Sequence, residues 1–167
     1  MKLIALLREK RTHLVDRWRQ LVFDSYPLET RRFLHKEKDR FQNPLAYRLS
    51  KGIEGLFGAL LQEIEVEELK GFLDEIIRIK AVQDFSPSQA LAFIFLLKGL
   101  VREELAEELR DQELARECLE LESIIDGMAL LGFDVYMQRR EKLSEIRINE
   151  IKRQVSGLMR KTGYSLE

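Results

Sequence analysis

Few side chains in this sequence belong to the types that do chemistry. His13 and His35 are its two histidines and Cys118 is its one cysteine. Neither histidine has a cysteine partner at zinc-binding spacing or a second histidine four residues away on a helix, so no metal site is expected. One thiol, two imidazoles and no nucleophile motif do not assemble a nucleophile–base–acid triad. Carboxylates are plentiful, but they fall on charged helical faces, where solvation and ion pairing account for them. No enzymatic activity is expected, and no cofactor.

The polar residues that stand out are Arg78, Gln83 and Asp84, just before Phe85-Ser86-Pro87-Ser88-Gln89 and the apolar run Ala90 to Leu97. Gln83 and Asp84 have two readings. They could brace the loop by bonding nearby backbone. Alternatively, Arg78, Gln83 and Asp84 could line a small pocket or relay a contact. Ser86 and Gln89 predict a capping box with Pro87 at the first helical position. Free N–H groups at Ser88 and Gln89 could receive an anion, although the capping box already uses part of that capacity. The helix opened by Pro87 is expected to reach about Leu109. Its first half is apolar on nearly every side, which predicts burial at the centre of the domain.

Three glycines, Gly52, Gly55 and Gly58, lie inside a helical pattern. They are not a phosphate loop, because no strand precedes them and no Gly-Lys-Ser/Thr follows. A glycine inside a helix costs up to about 1 kcal/mol relative to alanine, so a compensating gain is expected. Gly52, Gly55 and Ala59 share one face, where a second helix could approach closely.

The elements that position these residues read as helices throughout. Leu7, Leu14, Trp18 and Leu21 predict a first helix over about 3–24, ended by Tyr26-Pro27. A short helix follows with Phe33 and Leu34 inward, and residues 35–40 read as a solvated turn. Asn43-Pro44 opens the glycine-bearing helix, whose stripe is Leu45, Leu49, Ile53, Leu56, Leu60 and Ile64. The alternating patch Glu63 to Glu67 has no partner strand and reads as a helix junction. A helix over about 66–82 turns Leu69, Phe72, Leu73, Ile76 and Ile77 inward. After Arg110-Asp111, another long helix carries Leu114, Cys118, Leu121, Ile125 and Met128 on one face. Cys118 there reads as a small buried hydrophobe.

From about Gln138 the pattern narrows. Ser144, Ile148, Ile151, Val155, Leu158 and Thr162 follow one another at 4, 3, 4, 3 and 4 residues, an a/d heptad seam. We expect Ile148, Ile151, Val155 and Leu158 to form a dimerisation seam, and divide the chain into a body over 1–137 and a signalling helix and tail over 138–167. The tail is basic, but it lacks interleaved aromatics and its seam favours pairing with another helix over nucleic acid.

The bulk numbers agree with one helical domain. The chain has 167 residues, enough for a real core, and its formal net charge of −1 draws it to neither nucleic acid nor a membrane surface. A lone cysteine fits a reducing cytoplasm. The longest apolar run, Ala90 to Leu97, is far short of the ~20 residues of a membrane span. The apolar start at residues 3–7 is cut off by Arg8-Glu9-Lys10-Arg11, too early for a secretory signal.

Read together, Trp18, Tyr26-Pro27, Phe33-Leu34, Asp39-Arg40-Phe41-Gln42-Asn43-Pro44 and the stretch Arg78–Lys98 resemble the N-terminal domain of RsbT co-antagonist proteins, the sensor half of bacterial stressosome regulators. The resemblance implies an all-α, globin-like helical bundle that needs no haem. The histidines agree, since nothing after position 35 can supply the imidazole that ties iron in a haem globin. The resemblance also implies a signal passed down a linker helix to a phosphorylatable STAS output domain. None follows before Glu167, so the expectation is a homodimer acting on a separate regulatory partner. The alternative is a stand-alone docking module of a larger assembly. Proteins resembling this one as isolated domains accompany sulfur-metabolism redox complexes.

Overall fold

The computed structural model describes residues 2–36 and 41–163. The fold is all-α. Seven helices follow in order: α1 Lys2–Glu9, α2 Arg11–Asp24, α3 Leu28–Lys36, α4 Pro44–Leu61, α5 Val66–Val82, α6 Pro87–Glu104 and α7 Gln112–Thr162, with a 3-10 turn at Glu108–Arg110 before the last. No strand occurs among the described residues.

The helix ends follow local chemistry. Asn43 caps α4, its side chain accepting from Ala46 N–H at 3.1 Å, and its amide donates to the Phe33 carbonyl. Ser86 and Gln89 form the capping box of α6 with Pro87 in the first turn. Asp111 caps α7 through Glu113 N–H and Leu114 N–H. Gly163, at φ 78°, closes α7 in the left-handed conformation that favours glycine. Arg8 donates to the Leu61 carbonyl at 2.7 Å, one of the acceptors that α4 leaves open at its C-terminus.

The core lies where α4 packs on α5, α5 and α6 pack on α7, and α2 lies over α4 and α6. Trp18 is fully buried; its indole N–H donates to the Phe93 carbonyl at 2.8 Å and its ring stacks on Phe93. The α4–α5 crossing depends on missing side chains. A β-carbon on Gly55 would lie 2.3 Å from the Phe72 ring, and one on Gly52 would lie 2.8 Å from Ile76. Both glycines therefore repay their helical cost by letting the helices touch. Gly132 does the same for α7, against Ile94, Leu91 and Ile77.

Several boundaries and faces differ from the sequence reading. The first helical stretch is two helices: the chain bends at Lys10 (φ −88°, ψ 9°). The bend lays α1 along α7, where Leu3 is buried and Leu3 N–H donates to Glu117 at 2.6 Å. Phe33 does not turn inward; it is 47% exposed, and Leu34 alone of that pair is buried. The helix from Pro87 ends at Glu104 rather than near Leu109.

Nor is α6 buried all round. Ala90, Leu91, Phe93, Ile94 and Leu97 face the core, but Ala92 and Gly99 are exposed and Phe95 is 50% exposed. The reason is geometric: α2, α5 and α7 cover only part of the cylinder, so apolar residues on the remaining arc are left uncovered. The helix that carries Cys118 runs on unbroken through residues 137 and 138, as its pattern allowed. The solvated turn expected at residues 35–40 lies partly outside the described residues, since 37–40 are not among them.

Candidate functional site

The α5–α6 corner is built by the way α5 ends. Gln83 is its C-cap and Asp84 follows at φ 57°, a left-handed conformation that Asp tolerates better than most residues. Phe85 N–H then bonds back to the Lys80 carbonyl at 3.2 Å. A left-handed residue after the cap and a six-residue return bond make a Schellman motif, in which the last residue packs on the last helical turn. Here that packing is unusual. Lys80 Nζ lies 4.8 Å from the Phe85 ring centre and 4.6 Å from that of Tyr26. The two rings meet edge to face, 5.7 Å apart.

Lys80 is 1% exposed. Its ammonium has no carboxylate at ion-pairing distance among the described residues, and burial lowers its pKa to about 8. Burial likewise pushes the Tyr26 hydroxyl well above the usual phenol range. Among the described residues, two buried side-chain polar atoms lack a hydrogen-bond partner, Tyr26 Oη at the turn from α2 into α3 and Arg31 Nε within α3. In front of the rings is an open groove of about 340 Å³, lined by Tyr26, Pro27, Thr30, Gln83, Asp84, Phe85 and Gln89.

The corner is tied to α7 at several points. Tyr136 Oη donates to the Phe85 carbonyl at 2.5 Å. Arg140 donates to the Ala81 carbonyl at 3.2 Å and to Asp84 at 3.0 Å, while Arg147 approaches Asp84 at 3.9 Å. One residue earlier on α7, Arg139 makes a bidentate pair with Asp74 of α5, which raises the guanidinium pKa. A second such pair joins Arg102 of α6 to Glu122 of α7 and holds the Glu122 carboxyl below its usual range. Cys118, nearby on α7, is buried; burial first and Glu122 second push its thiol up, which makes it a poor nucleophile.

The structure therefore brings Gln83, Asp84 and Gln89 to one groove, with Ser86 beside them. Gln89 is engaged in the capping box, its side chain accepting from Ser86 N–H. Arg78 is elsewhere: it pairs with Glu75 at 3.2 Å and lines a separate depression with Phe41, Pro44, Tyr47, Arg48 and Lys51. The seam residues Ile148, Ile151, Val155 and Leu158 are all exposed on α7. His13 sits against Glu104 and His35 against Asp24. No three metal-ligating side chains cluster among the described residues, and none of their helices is long and apolar enough to cross a membrane.

Sequence reasoning missed Lys80 and the α7 arginines. The lysine was detectable, because the buried stripe Leu73, Ile76, Ile77 continues at the next helical step onto Lys80 and Ala81. The arginine clamps depend on where α7 crosses α5, which spacing alone does not give.

A second feature lies along α6. Pro87, Ser88, Leu91, Ala92, Phe95, Leu96, Gly99 and Phe133 line an open, strongly apolar groove of about 780 Å³. It runs onto exposed Leu130 and Met137 of α7. Residues 130, 137, 144, 151 and 158 are spaced by sevens, so the bare face and the distal seam share one heptad register.

Residues 12–151 match the family model described as the RsbT co-antagonist protein rsbRD N-terminal domain. No curated protein and no solved structure matches the chain.

Proposed function

The chain belongs to the rsbRD-type RsbT co-antagonist N-terminal domain family, a stressosome-related regulatory family, and from that premise we propose that it is a non-enzymatic, cytoplasmic sensor domain acting as a homodimer on a separate regulatory protein. The observation that carries this reading is the bare apolar face. Monomers seldom leave a contiguous apolar patch uncovered unless something binds it. Here the patch starts on α6 at Ala92 and Phe95, takes in Leu130, Phe133 and Met137, and continues at heptad spacing to Leu158. A second copy would pair α7 with α7 along that register.

In this reading a globin-like body over 1–137 receives the signal, and the helix beyond it dimerises and transmits. The input acts at the α5–α6 corner, where Asp84 and Phe85 are held by Tyr136 and Arg140. Moving the loop shifts where α7 is gripped, and a few kcal/mol of bias suffices to switch a bistable coil. The test is sedimentation velocity over a concentration series. Wild type is expected to associate, and the Ile151→Ala/Val155→Ala double variant is expected to lose most of that association while keeping its helical content. Unchanged association would remove the seam from the reading.

The same apolar groove favours a second reading, a docking module whose α6 face is covered by another protein. A chain that stays monomeric at every concentration, with Phe95→Glu abolishing capture of its partner, would support that alternative.

A further inference from the structure

We propose that the Tyr26–Lys80–Phe85 corner is a ligand site for a small monocarboxylate, with the Lys80 ammonium and the Tyr26 hydroxyl as its donors. The inference deepens the sensor reading by naming the class of input, and the site itself does not depend on dimerisation.

A buried ammonium is costly unless it is paired. Lys80 has aromatic faces on two sides and no carboxylate partner among the described residues. Cation–π contact offsets part of that cost, but an ammonium has three N–H bonds and the rings do not satisfy all of them. At the same corner, the buried Tyr26 hydroxyl has no partner. A buried hydroxyl without a partner, close to a buried ammonium without a carboxylate, marks a position for an acceptor that the chain does not supply. The groove in front is lined by Tyr26 and Phe85, the two rings that flank the lysine.

The lining selects the ligand. One ammonium and one hydroxyl suit a single negative charge. A dianion such as phosphate would enter beside the Asp84 carboxylate, which also lines the groove and already engages Arg140 and Arg147. Pro27 and the rings of Tyr26 and Phe85 offer apolar contact to a short carbon chain, and Thr30 lines the same groove with a hydroxyl. Binding would act on Phe85, whose carbonyl is held by Tyr136 of α7, and so would reach the long helix through a loop one residue away from its anchor.

The experiment is an amide chemical-shift titration of the full chain with formate, acetate, propionate and butyrate at constant ionic strength, with sodium chloride and inorganic phosphate as controls. Saturable shifts centred on Tyr26 and on residues 80–86 are expected with the monocarboxylates and not with the controls. Lys80→Met should weaken binding by about tenfold or more, the usual scale for a charge-assisted hydrogen bond. Lys80→Arg, which keeps the charge, serves as the folded comparison, and Tyr26→Phe should weaken binding by a smaller factor. The proposal is overturned if no monocarboxylate gives saturable shifts, if phosphate or chloride gives the same shifts, or if folded Lys80→Met binds as tightly as wild type. Saturable binding that leaves the sedimentation behaviour unchanged would keep the site and remove its link to the dimer; loss of the seam effect with binding intact would remove the sensor reading alone.

Discussion

The α4–α5 crossing and the α6–α7 outer face are both strongly apolar, and they were finished differently. At the crossing, Gly52 and Gly55 leave no room for even one added carbon, and Phe72 and Ile76 fill the space. On the outer face, Phe95 and Leu130 are 50% and 74% exposed, and a β-carbon at Gly99 would meet nothing within 4 Å. Hydrophobicity alone therefore does not mark the interior. Complementarity of small against large residues does, and an apolar surface that lacks it within the chain is shaped for something outside.

The contrast can be broken most forcefully at its tight end. Gly55→Val places branched carbon into the Phe72 ring and should lower unfolding stability by about 3 kcal/mol, the upper range for overpacking, in a urea titration. A loss below about 0.5 kcal/mol would mean that the crossing is looser than described.

Lys80, at the end of α5, is a charge left on the finished side. Replacing it with Met should raise stability at pH 7 by about 2 kcal/mol, because an unmatched buried ammonium is removed and its volume kept. The pH dependence follows from proton binding. Folded Lys80 loses its proton near pH 8, while the unfolded chain holds it to about 10.5. Between pH 8 and 10 the unfolded state thus binds more protons, so wild-type stability should rise with pH there and stay level at its lower value below pH 8, where both states hold the proton. The raised Tyr26 pKa opposes this only above pH 10, where the unfolded phenol ionises first. Denaturant midpoints for wild type and Lys80→Met over that range should converge as pH rises.

The open face predicts smaller effects on folding. Gly99→Ala should stabilise the monomer by about 0.5–1 kcal/mol through helix propensity alone. If a partner helix passes close at Gly99, the same change should also weaken association. Phe95→Glu should move unfolding stability by no more than about 0.5 kcal/mol, yet abolish concentration-dependent association in sedimentation. A large loss of stability would mean that Phe95 belongs to the core after all.

Much of the fold was legible because its cues were local. Ser86, Pro87 and Gln89 mark the start of α6, Asn43-Pro44 that of α4, and the Leu45–Leu60 stripe gives the inward face of α4. The bend at Lys10 was not, because Leu7 and Leu14 keep helical spacing across it and only docking on Glu117 of α7 separates the two helices. The exposure of Phe33 and Phe95 was hidden for a similar reason. Composition reports which residues are apolar, whereas which arc of a helix is covered depends on how many neighbours reach it. At the candidate site Gln83 and Asp84 were readable as loop polar residues beside an N-cap. Arg78 was separated from them by helical rotation onto another face, and Lys80 was screened by its apolar neighbours in the stripe.

The 51 residues of α7 give one further consequence. At 1.5 Å per residue they make a rod about 75 Å long, of which roughly 40 Å extends beyond Tyr136. Asp74 and Asp84 grip Arg139 and Arg140 close to the point where the rod leaves the body, and so act as a fulcrum. A tilt of about 5° there would sweep the far end through roughly 3 Å, more than half a helical turn of rise. Leverage of that kind lets a change too small to disturb the core become a displacement that a neighbouring protein can read.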